Sequence, residues 1–383
     1  MANYRDLALS AARRRYCGAV RVHLVDPSAF TPPYDHALAG ALARAGADVE
    51  LVTSRFGYGP VPAPEGYAVC EAFYRWAPGA PGSRVRFAAK LAQHVPDMLV
   101  YRRRAHRADV VHFQWLTVQP LDVHLLPSGR PVILTAHDVL PREPRPGQLR
   151  AQRRLYERVD AVVVHSAHGR ARLTEALGID PARVHVVPHG AFSHLTRQPE
   201  ERPLPPELAA VEGPVVLCFG LMRPYKGIDV LLEAWRGVHG AELWIVGMPR
   251  MDLAPLRAAA PPGVRFVPRF VTDAEIPAYF RRADLVVLPY REIDQSGVLF
   301  TALAFGRPLL LSAVGGFPEV AETGAAELVP PGDAGALHAA LVRLLGDEDA
   351  RERLAAAARA AAAGPYSWDR AAAATLAVYR GLN

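Results

Sequence analysis

Short, continuous runs of apolar and mostly β-branched residues recur along the chain, separated by stretches with helical spacing. In the first half these runs cover residues 20–25, 48–53, 109–113, 131–136, 161–165 and 184–188. In the second half they cover residues 214–219, 242–246, 264–267, 284–289 and 308–312. Runs that stay apolar instead of alternating are typical of parallel strands covered on both faces. Their alternation with helices predicts βαβ units with right-handed crossovers, and therefore an α/β fold.

A segment rich in proline and charge, residues 197–214, separates the two series of runs and has the composition of a linker. At 383 residues the chain is also longer than one compact core usually is. We therefore predict two Rossmann-like domains, residues 1–197 and residues 198–366. Residues 367–383 have the pattern of a further helix, with Ser367 as its N-cap.

The composition is that of a folded protein, with 50% hydrophobic and 21% charged residues. The net charge of +6 suits anionic ligands or an anionic membrane surface. No basic module with interleaved aromatic residues is present, so nucleic acid is not a predicted partner. Cys17, Cys70 and Cys218 are too far apart in sequence to suggest a disulfide framework or a metal cluster. Because the N-terminal residues also lack the apolar core of a secretory signal, we expect a cytoplasmic protein.

Two stretches bear on membrane contact. Residues 297–316 are apolar over about the length that spans a bilayer, but Pro308 interrupts them, so we predict a buried helix, a turn and a buried strand. Residues 84–107 mix basic and apolar residues. Basic amphipathic segments of this kind lie on anionic membranes, which predicts a peripheral contact with the inner face of the plasma membrane. A solvated helix face is the alternative explanation.

The sequence F-G-L-M-R-P-Y-K-G, residues 219–227, follows an apolar run and places Arg223 and Lys226 in one short loop. Two cations held close together cost desolvation and mutual repulsion, which an anion between them removes, and phosphate is the usual candidate. The G-x-G-x-x-G and G-x-x-x-x-G-K-[ST] motifs are absent, which argues against hydride transfer and nucleotide-triphosphate hydrolysis. An exposed turn with solvated cations is the alternative.

Three further stretches follow apolar runs of the second half: V-G-M-P-R at 246–250, Y-R-E-I-D-Q-S-G-V-L at 290–299 and V-G-G-F-P-E-V at 314–320. Ligands of open α/β sheets bind outside the carboxyl ends of the strands, which is where all of these stretches are expected to lie. Residues 296–298 are predicted to open a helix whose free N–H groups and dipole attract phosphate. An ordinary capped turn would have a similar sequence.

These motifs resemble the donor-binding domain of retaining glycosyltransferases of family 4. Residues 219–227 resemble the family's first signature, in which an arginine and a lysine hold the diphosphate of the donor. Residues 314–320, after A-L-A-F-G-R-P, resemble its closing signature. The first half is similar to the acceptor domain through residues 135–141, 162–166 and 186–190. The resemblance implies the GT-B fold, an α/β architecture of two Rossmann-like domains whose parallel sheets face each other across a cleft.

The resemblance also implies roles for individual residues and for the terminal helix. The expected catalytic residues are His137, Arg223 and Lys226. The expected donor-binding residues are Gly220, Gly247, Arg269, Phe270, Asp294, Gln295, Ser296, Gly297, Val298 and Thr301. The expected acceptor-binding or sugar-binding residues are Tyr34, Asp35, Asp138, His165 and His189. A packing role is an equal alternative for Arg269 and Phe270, and a structural role for the lone histidines. The helix of residues 367–383 is expected to pack back on the first domain, anchored by Trp368 and Tyr379.

The sequence departs from the family pattern at two positions. Many members carry two glutamates separated by seven residues, and alignment places Ile293 and Thr301 there. Glu292 and Asp294 lie on either side of the first position, and either acid is a candidate substitute. The second departure leaves ribose recognition and the choice of nucleotide open. The acidic pair of E-I-D also has a metal-binding alternative, as in single-domain glycosyltransferases.

Together, the residues and the resemblance predict a retaining glycosyltransferase that moves a sugar from a nucleotide-diphosphate sugar to an unidentified acceptor. The acceptor is a glycan, a lipid or a small metabolite, and neither a metal nor a cofactor is expected. Because no nucleophilic side chain is apparent, the acceptor is expected to attack on the face of the leaving group. A nucleotide-sugar epimerase of the same fold and a non-catalytic sugar-nucleotide-binding protein are the alternatives.

Overall fold

The computed structural model describes residues 19–141, 144 and 146–382. These residues divide into two compact units, of which the first takes in the described residues up to 164, residues 172–187 and residues 371–382, and the second residues 165–171 and 188–370. The N-terminal residues examined for a secretory signal, and Cys17 with them, lie outside the described part of the chain. Cys70 and Cys218 carry free thiols.

The first unit contains a seven-stranded sheet with the strand order β3-β2-β1-β4-β5-β6-β7. Its strands are β1 (Arg21–Asp26), β2 (Asp48–Ser54), β3 (Ala68–Phe73), β4 (Val110–Phe113), β5 (Val132–Thr135), β6 (Ala161–Val164) and β7 (Val184–Val186). The first five helices of the described residues are α1 (Pro32–Arg44), α2 (Arg84–Arg104), α3 (Gln119–Leu125), α4 (Gln148–Arg158) and α5 (Ala167–Leu177). Every pairing between the strands is parallel, and β4, β5 and β6 are buried along their whole length, as expected of strands covered on both faces.

The second unit contains a six-stranded parallel sheet with the strand order β10-β9-β8-β11-β12-β13. Its strands are β8 (Val215–Phe219), β9 (Glu242–Val246), β10 (Val264–Val267), β11 (Leu285–Leu288), β12 (Leu309–Ser312) and β13 (Ala326–Val329). The remaining helices are α6 (Pro206–Ala209), α7 (Ile228–Ala234), α8 (Ala254–Ala259), α9 (Ile276–Arg282), α10 (Gly297–Ala304), α11 (Phe317–Ala321), α12 (Ala334–Gly346), α13 (Glu348–Ala363) and α14 (Trp368–Leu382). Two buried apolar clusters cover the two faces of the sheet.

The prediction of two Rossmann-like parallel sheets is confirmed. Each apolar run that predicted a strand forms one, to within two residues at its ends. The sequence analysis missed β3 and β13, and both lie at an edge of their sheet. In each sheet the strand order reverses direction once, between β1 and β4 and between β8 and β11. Ligands of such folds bind at the carboxyl ends of the two strands at this point.

The predicted linker at residues 197–214 is wrong, because this segment packs on the second unit. Helix α6 lies within it, and Leu208 is buried in the apolar cluster that also contains β8 and β11. The backbone N–H of Arg202 donates to the carbonyl of Ala274 at 2.8 Å. The long continuous part of the second unit begins at Pro188 rather than after residue 197, and the N–H of Ala191 donates to the carbonyl of Tyr366 at 2.7 Å.

The terminal helix α14 contributes residues to both units. The backbone N–H of Arg370 donates to the Ser367 hydroxyl at 3.2 Å, which confirms the predicted cap. Tyr379 lies in the first unit, where its hydroxyl is 2.8 Å from Nδ1 of His112 on β4. Trp368 instead lies in the second unit and donates its indole N–H to the carbonyl of Ala191 at 2.8 Å. The expectation that both aromatic residues anchor the helix on the first domain therefore fails for Trp368.

The apolar residues 297–316 form α10, a turn and β12, as predicted. Within the described residues, no helix has both the length and the apolar character needed to cross a membrane.

Candidate active site

The loop after β8 buries one of its two cations. Lys226 is only 6% exposed, and its ammonium nitrogen lies 3.4 Å from the carbonyl oxygen of Phe219 and 4.9 Å from the centre of the Tyr290 ring. A carbonyl oxygen and the face of an aromatic ring both attract a cation. The side chain is thus held back along the end of the strand, with its charge at the carboxyl edge of the sheet.

Gly220 allows the buried cation and helix α10 to meet. A Cβ atom at this position would lie 2.8 Å from Nζ of Lys226 and 3.0 Å from Cγ2 of Val298. Its φ of +104° is also one that other residues rarely adopt. The sequence F-G-L at this strand end therefore brings the ammonium against the first turn of a helix.

Helix α10 begins where the sequence predicts, with Ser296 as the N-cap and the N–H of Leu299 bonded to the carbonyl of Ser296 at 3.1 Å. The Ser296 side chain does not cap the helix. Across the described residues, the backbone N–H groups of Gly297 and Val298 have no hydrogen-bond acceptor. Free N–H groups, the helix dipole and the Lys226 ammonium together make a site that attracts an anion.

Close backbone contacts fix the loops after β8 and β11 against each other. Gly227 has a φ of +64°, and a Cβ there would lie 2.1 Å from the carbonyl oxygen of Pro289. The backbone N–H of Arg291 donates to the carbonyl of Tyr225 at 2.8 Å. The Arg291 guanidinium also pairs with Asp229 at 2.6 Å, and this hydrogen bond lowers the pKa of the Asp229 carboxyl.

Arg223, the other predicted cation, is exposed on the same loop. It forms no ion pair or side-chain hydrogen bond with any residue that the structure describes. By contrast, the neighbouring Arg291 forms an ion pair with Asp229. Arg223 can therefore turn toward a ligand without breaking a contact of its own.

The loop after β9 approaches the same strand end through a second glycine. Gly247 has a φ of +142°, and a Cβ there would lie 2.1 Å from the carbonyl oxygen of Gly220. The N–H of Met222 donates to the carbonyl of Met248 at 3.0 Å. The structure thus brings together the predicted residues Gly220, Lys226, Gly247, Ser296, Gly297 and Val298.

The two positions of the family's glutamates carry no carboxylate. Ile293 is buried, and the hydroxyl of Thr301 donates to the carbonyl of Gly297 within α10 at 2.9 Å. Glu292 is exposed while Asp294 is buried, so the two acids have different surroundings. Nowhere in the described ranges do three or more His, Cys, Asp or Glu side chains group in a way that could hold a metal ion.

Gln295 packs against the glycines of the closing signature. Its side-chain nitrogen would lie 2.3 Å from a Cβ at Gly316, and its side-chain oxygen is buried without a hydrogen-bond partner. At Gly315, whose φ is +59°, a Cβ would lie 1.8 Å from the carbonyl oxygen of Ile293. The G-G pair therefore lets the loop after β12 approach the loop that carries Gln295.

Arg269 and Phe270 follow β10, the edge strand beside β9. Arg269 pairs with Glu275 at 2.7 Å and also donates to the carbonyl of Phe270. Burial raises the pKa of Glu275, but hydrogen bonds from Arg269 and Thr272 outweigh that effect and hold the pKa at about 2. Arg269 is thus engaged in an ion pair, whereas the Phe270 ring is half exposed.

His165 and His189 are buried in the second unit, although the sequence analysis assigned them to the first domain. The His189 ring stacks on Phe300 of α10 with 4.2 Å between ring centres, and His165 meets it edge-on at 5.3 Å. Burial, followed by the neighbouring His165, lowers the pKa of His189 well below its usual value. A neutral His189 therefore supports α10 from within the core.

In the first unit, His137 lies at the carboxyl end of β5 between two aromatic rings. It stacks on Trp115 with 5.0 Å between ring centres and meets the edge of Tyr34 at 4.7 Å. Its Nε2 is 3.3 Å from the side-chain oxygen of Gln114. Asp138 is exposed beside it. The sequence analysis missed Gln114 and Trp115, although F-Q-W at the end of β4 was a usable signal.

Two acids lie together where β1 ends. Asp26 accepts backbone N–H groups of Ser28 and Thr31 at 3.0 and 3.3 Å, and the predicted Asp35 on α1 is fully buried beside it. Burial, followed by the charge of Asp26, raises the pKa of the Asp35 carboxyl well above its usual value. The Asp35 carboxyl therefore holds its proton more tightly than a solvent-exposed aspartic acid does while Asp26 is charged. The sequence analysis missed Asp26, for which V-D-P at a strand end was the signal.

Both halves of the chain match known families. Residues 213–347 match the family described as "Glycosyl transferases group 1", and residues 33–190 match the family described as "Glycosyl transferase 4-like domain". The chain belongs to glycosyltransferase family 4. The resemblance that rested on residues 219–227 and 314–320 is thereby confirmed.

Relatives of this glycosyltransferase support the same assignment. A D-inositol 3-phosphate glycosyltransferase of Xylanimonas cellulosilytica is 29% identical over 386 residues, which cover 89% of each chain. A GDP-mannose:glycolipid 4-beta-D-mannosyltransferase of Xanthomonas campestris pv. campestris is 28% identical over 190 residues, 48% of this chain and 50% of that protein. Among solved structures, sucrose-phosphate synthase from Thermosynechococcus elongatus has a TM-score of 0.74 at 20% identity, covering 95% of this chain and 99% of its own. The predicted GT-B fold is confirmed.

Proposed function

We propose that this glycosyltransferase takes a sugar from a nucleotide-diphosphate sugar and transfers it with retention of configuration, without a metal ion. The observation that carries the proposal is the meeting of the buried Lys226 ammonium with the first turn of α10 at Gly220. Such a site is suited to the diphosphate of a donor, and the printed name of the Xanthomonas relative includes GDP-mannose.

The chemistry follows from the charge that develops on the leaving diphosphate. As the glycosidic bond breaks, negative charge grows on the diphosphate, and fixed positive groups lower the energy of that transition state. Lys226 and the N–H groups of residues 297 and 298 are in position before the reaction, and Arg223 closes on the diphosphate from the exposed side. These cations supply the countercharge that a divalent metal provides in other glycosyltransferases. Neither Ile293 nor Thr301 offers a carboxylate nucleophile, so the acceptor attacks on the face that the diphosphate leaves.

The acceptor binds at the carboxyl edge of the first unit, where His137, Trp115 and Tyr34 form a polar and aromatic cluster. Aromatic faces beside polar groups suit a hydroxyl-bearing acceptor. The two relatives are named for an inositol phosphate and a glycolipid. We therefore propose a hydroxyl-bearing small metabolite, glycan or lipid as the acceptor, used in the cytoplasm.

Ligand binding followed by product analysis tests this proposal. A panel of nucleotide diphosphates is screened by thermal unfolding, since a ligand that binds the folded protein raises its apparent stability. The matching nucleotide sugars are then incubated with acceptors in the presence of a chelator, and the anomeric configuration of the product is determined by NMR. Transfer with inversion, or transfer that requires Mn²⁺ or Mg²⁺, would contradict the proposal.

A non-catalytic sugar-nucleotide-binding protein is the second candidate, and the absence of a carboxylate at positions 293 and 301 favours it. This protein would bind the nucleotide sugar but would neither transfer nor hydrolyse it. A nucleotide-sugar epimerase would instead convert the sugar without any acceptor, so the same incubation separates all three functions.

A further inference from the structure

Helix α2 exposes an apolar face to solvent. Phe87 is 72% exposed and Val85 is 63% exposed. The exposed apolar residues of this helix are Val85, Phe87, Ala88, Leu91, Ala92, Pro96, Leu99 and Val100. Residues three or four apart share a face of a helix, so Val85, Ala88, Ala92, Pro96 and Leu99 form one apolar face along α2, and Leu91 and Phe87 extend it around the N-terminal half of the helix.

The face of α2 that packs on the sheet contains polar side chains. His94 is buried there. Its Nδ1 lies 2.8 Å from the Tyr74 hydroxyl, and its Nε2 lies 2.6 Å from a carboxylate oxygen of Asp122. A surface helix of a globular protein normally turns its apolar stripe inward and its charges outward. A long apolar face left in solvent marks a surface that binds another molecule.

A tryptophan extends the apolar face of α2. Trp76 is 82% exposed, and its backbone N–H donates to the side-chain oxygen of Gln93 on α2 at 3.1 Å, which places the two segments side by side. Tryptophan prefers the boundary between water and lipid, because its ring is apolar and its N–H is polar.

The charges around this face have one dominant sign. Residues 84–107 contain seven Arg or Lys and a single acid, Asp97. Asp97 accepts the backbone N–H of Tyr74 at 2.7 Å, so its charge is already engaged. Arg84, Arg103 and Arg107 are exposed and form no ion pair with any described residue. The surface is therefore complementary to a negatively charged partner.

We propose that α2 and Trp76 dock this protein onto an anionic bilayer. The helix lies in the plane of the lipid headgroups, with Phe87 and Leu91 inserted among the upper acyl segments and Arg84 and Arg103 against the phosphates. A second copy of the chain fits the same face poorly, because it would bring the two sets of unpaired arginines together. This proposal does not depend on the transferase activity, since it concerns where the protein is held.

Vesicle flotation with the full chain tests the proposal. We expect binding to vesicles of phosphatidylcholine mixed with phosphatidylglycerol, weak binding to phosphatidylcholine alone, and loss of binding as salt is added. The double variant Phe87→Ser/Leu91→Ser should bind the mixed vesicles at least tenfold more weakly. A matched control is Val342→Ser, which removes a half-exposed apolar side chain from α12 in the second unit and should bind like the parent.

The variant Arg84→Gln/Arg103→Gln measures the contribution of charge. Each basic residue removed near an anionic surface should weaken vesicle binding about fivefold. All substituted side chains are exposed, and thermal unfolding verifies that each variant is folded. Equal binding to neutral and anionic vesicles, or a Phe87→Ser/Leu91→Ser variant that binds like the parent, would overturn the proposal. The proposal would also be overturned if the parent protein bound neither kind of vesicle and light scattering showed a dimer that the Phe87→Ser/Leu91→Ser variant no longer forms.

Discussion

Replacing Lys226 with methionine removes the buried charge at the proposed phosphate site and nearly preserves the shape of the side chain. Methionine is similar in length and flexibility, and it can fill the space beside Phe219 and Tyr290 without a charge. The fold should survive, because a buried ammonium stabilises a protein little or costs free energy. The variant thus separates the electrostatic role of Lys226 from its packing.

The expected size of the effect follows from how deeply Lys226 is buried. At 6% exposure its charge acts through a poorly screened environment. A unit charge about 4 Å away interacts by about 4 kcal/mol at an effective dielectric constant of 20 and by about 1 kcal/mol in water. Removing one well-placed donor to a developing anion costs about 10²–10³ in kcat, or about 2.7–4 kcal/mol, which agrees with the buried estimate. The exposed Arg223 is screened more strongly, so Arg223→Met should lose less activity than Lys226→Met.

The assay compares kcat with saturating donor and acceptor in four proteins: the parent, Lys226→Met, Arg223→Met and Arg236→Met. Arg236 is an exposed arginine of the same unit beyond the end of α7, and its replacement controls for a general loss of positive charge. Calorimetry gives the affinity for nucleotide diphosphate, and thermal unfolding verifies the fold. The assignment of the diphosphate to this loop is refuted if Lys226→Met, folded like the parent, keeps a kcat within threefold of it.

Three further outcomes are expected. A chelator should change the transfer rate by less than twofold, because Lys226 and Arg223 supply the countercharge. If the chelator abolished the activity and Mn²⁺ restored it, the proposed independence of metal would be contradicted. Gly227→Ala should lower the free energy of unfolding, measured with urea, by about 1–3 kcal/mol. The reason is that φ at this position is +64° and a Cβ would press on the Pro289 carbonyl. An unchanged unfolding midpoint would show that the loop relaxes freely. Asp35→Asn should flatten the pH dependence of stability. Because burial raises the pKa of Asp35 in the folded state, its stabilising contribution is complete below the unfolded pKa and is lost as pH rises toward the folded value. Urea unfolding at pH 4 and pH 8 should therefore show a gain for the variant only at pH 8, and an equal effect at both values would argue against a protonated Asp35.

The strands of the two sheets were predictable because central parallel strands must be apolar on both faces. The same requirement for a continuous apolar run explains why β3 and β13 were not predicted. Most of residues 68–73 are exposed or half-buried, and two of the four residues 326–329 are half-buried, because β3 and β13 each have a neighbour on one side only. An edge strand does not need a continuous apolar run, so a search for such runs passes over it.

The phosphate loop was predictable for a different reason. Glycines at 220 and 227 and the start of α10 can be recognised from short stretches of sequence, and the parallel-sheet pattern places the ends of their strands at one edge. Burial depends instead on residues distant in sequence. The histidine of V-V-P-H-G is enclosed by Phe300 and Trp368, which follow more than a hundred residues later, so the motif alone gave no indication that His189 is buried. Proline and charge in residues 197–214 likewise describe a surface segment but do not show whether it is packed.

The sharing of α14 between the two units bears on the order in which they fold during synthesis. The second unit has all of its residues once the ribosome has added Arg370. The first unit is still incomplete at that point, because His112 in the middle of its sheet waits for Tyr379, a partner 267 positions further along the chain. Domains usually fold in the order in which they are synthesised. Here the half that is made first remains unfinished, with Nδ1 of His112 lacking its Tyr379 hydroxyl, until the half made second is already complete.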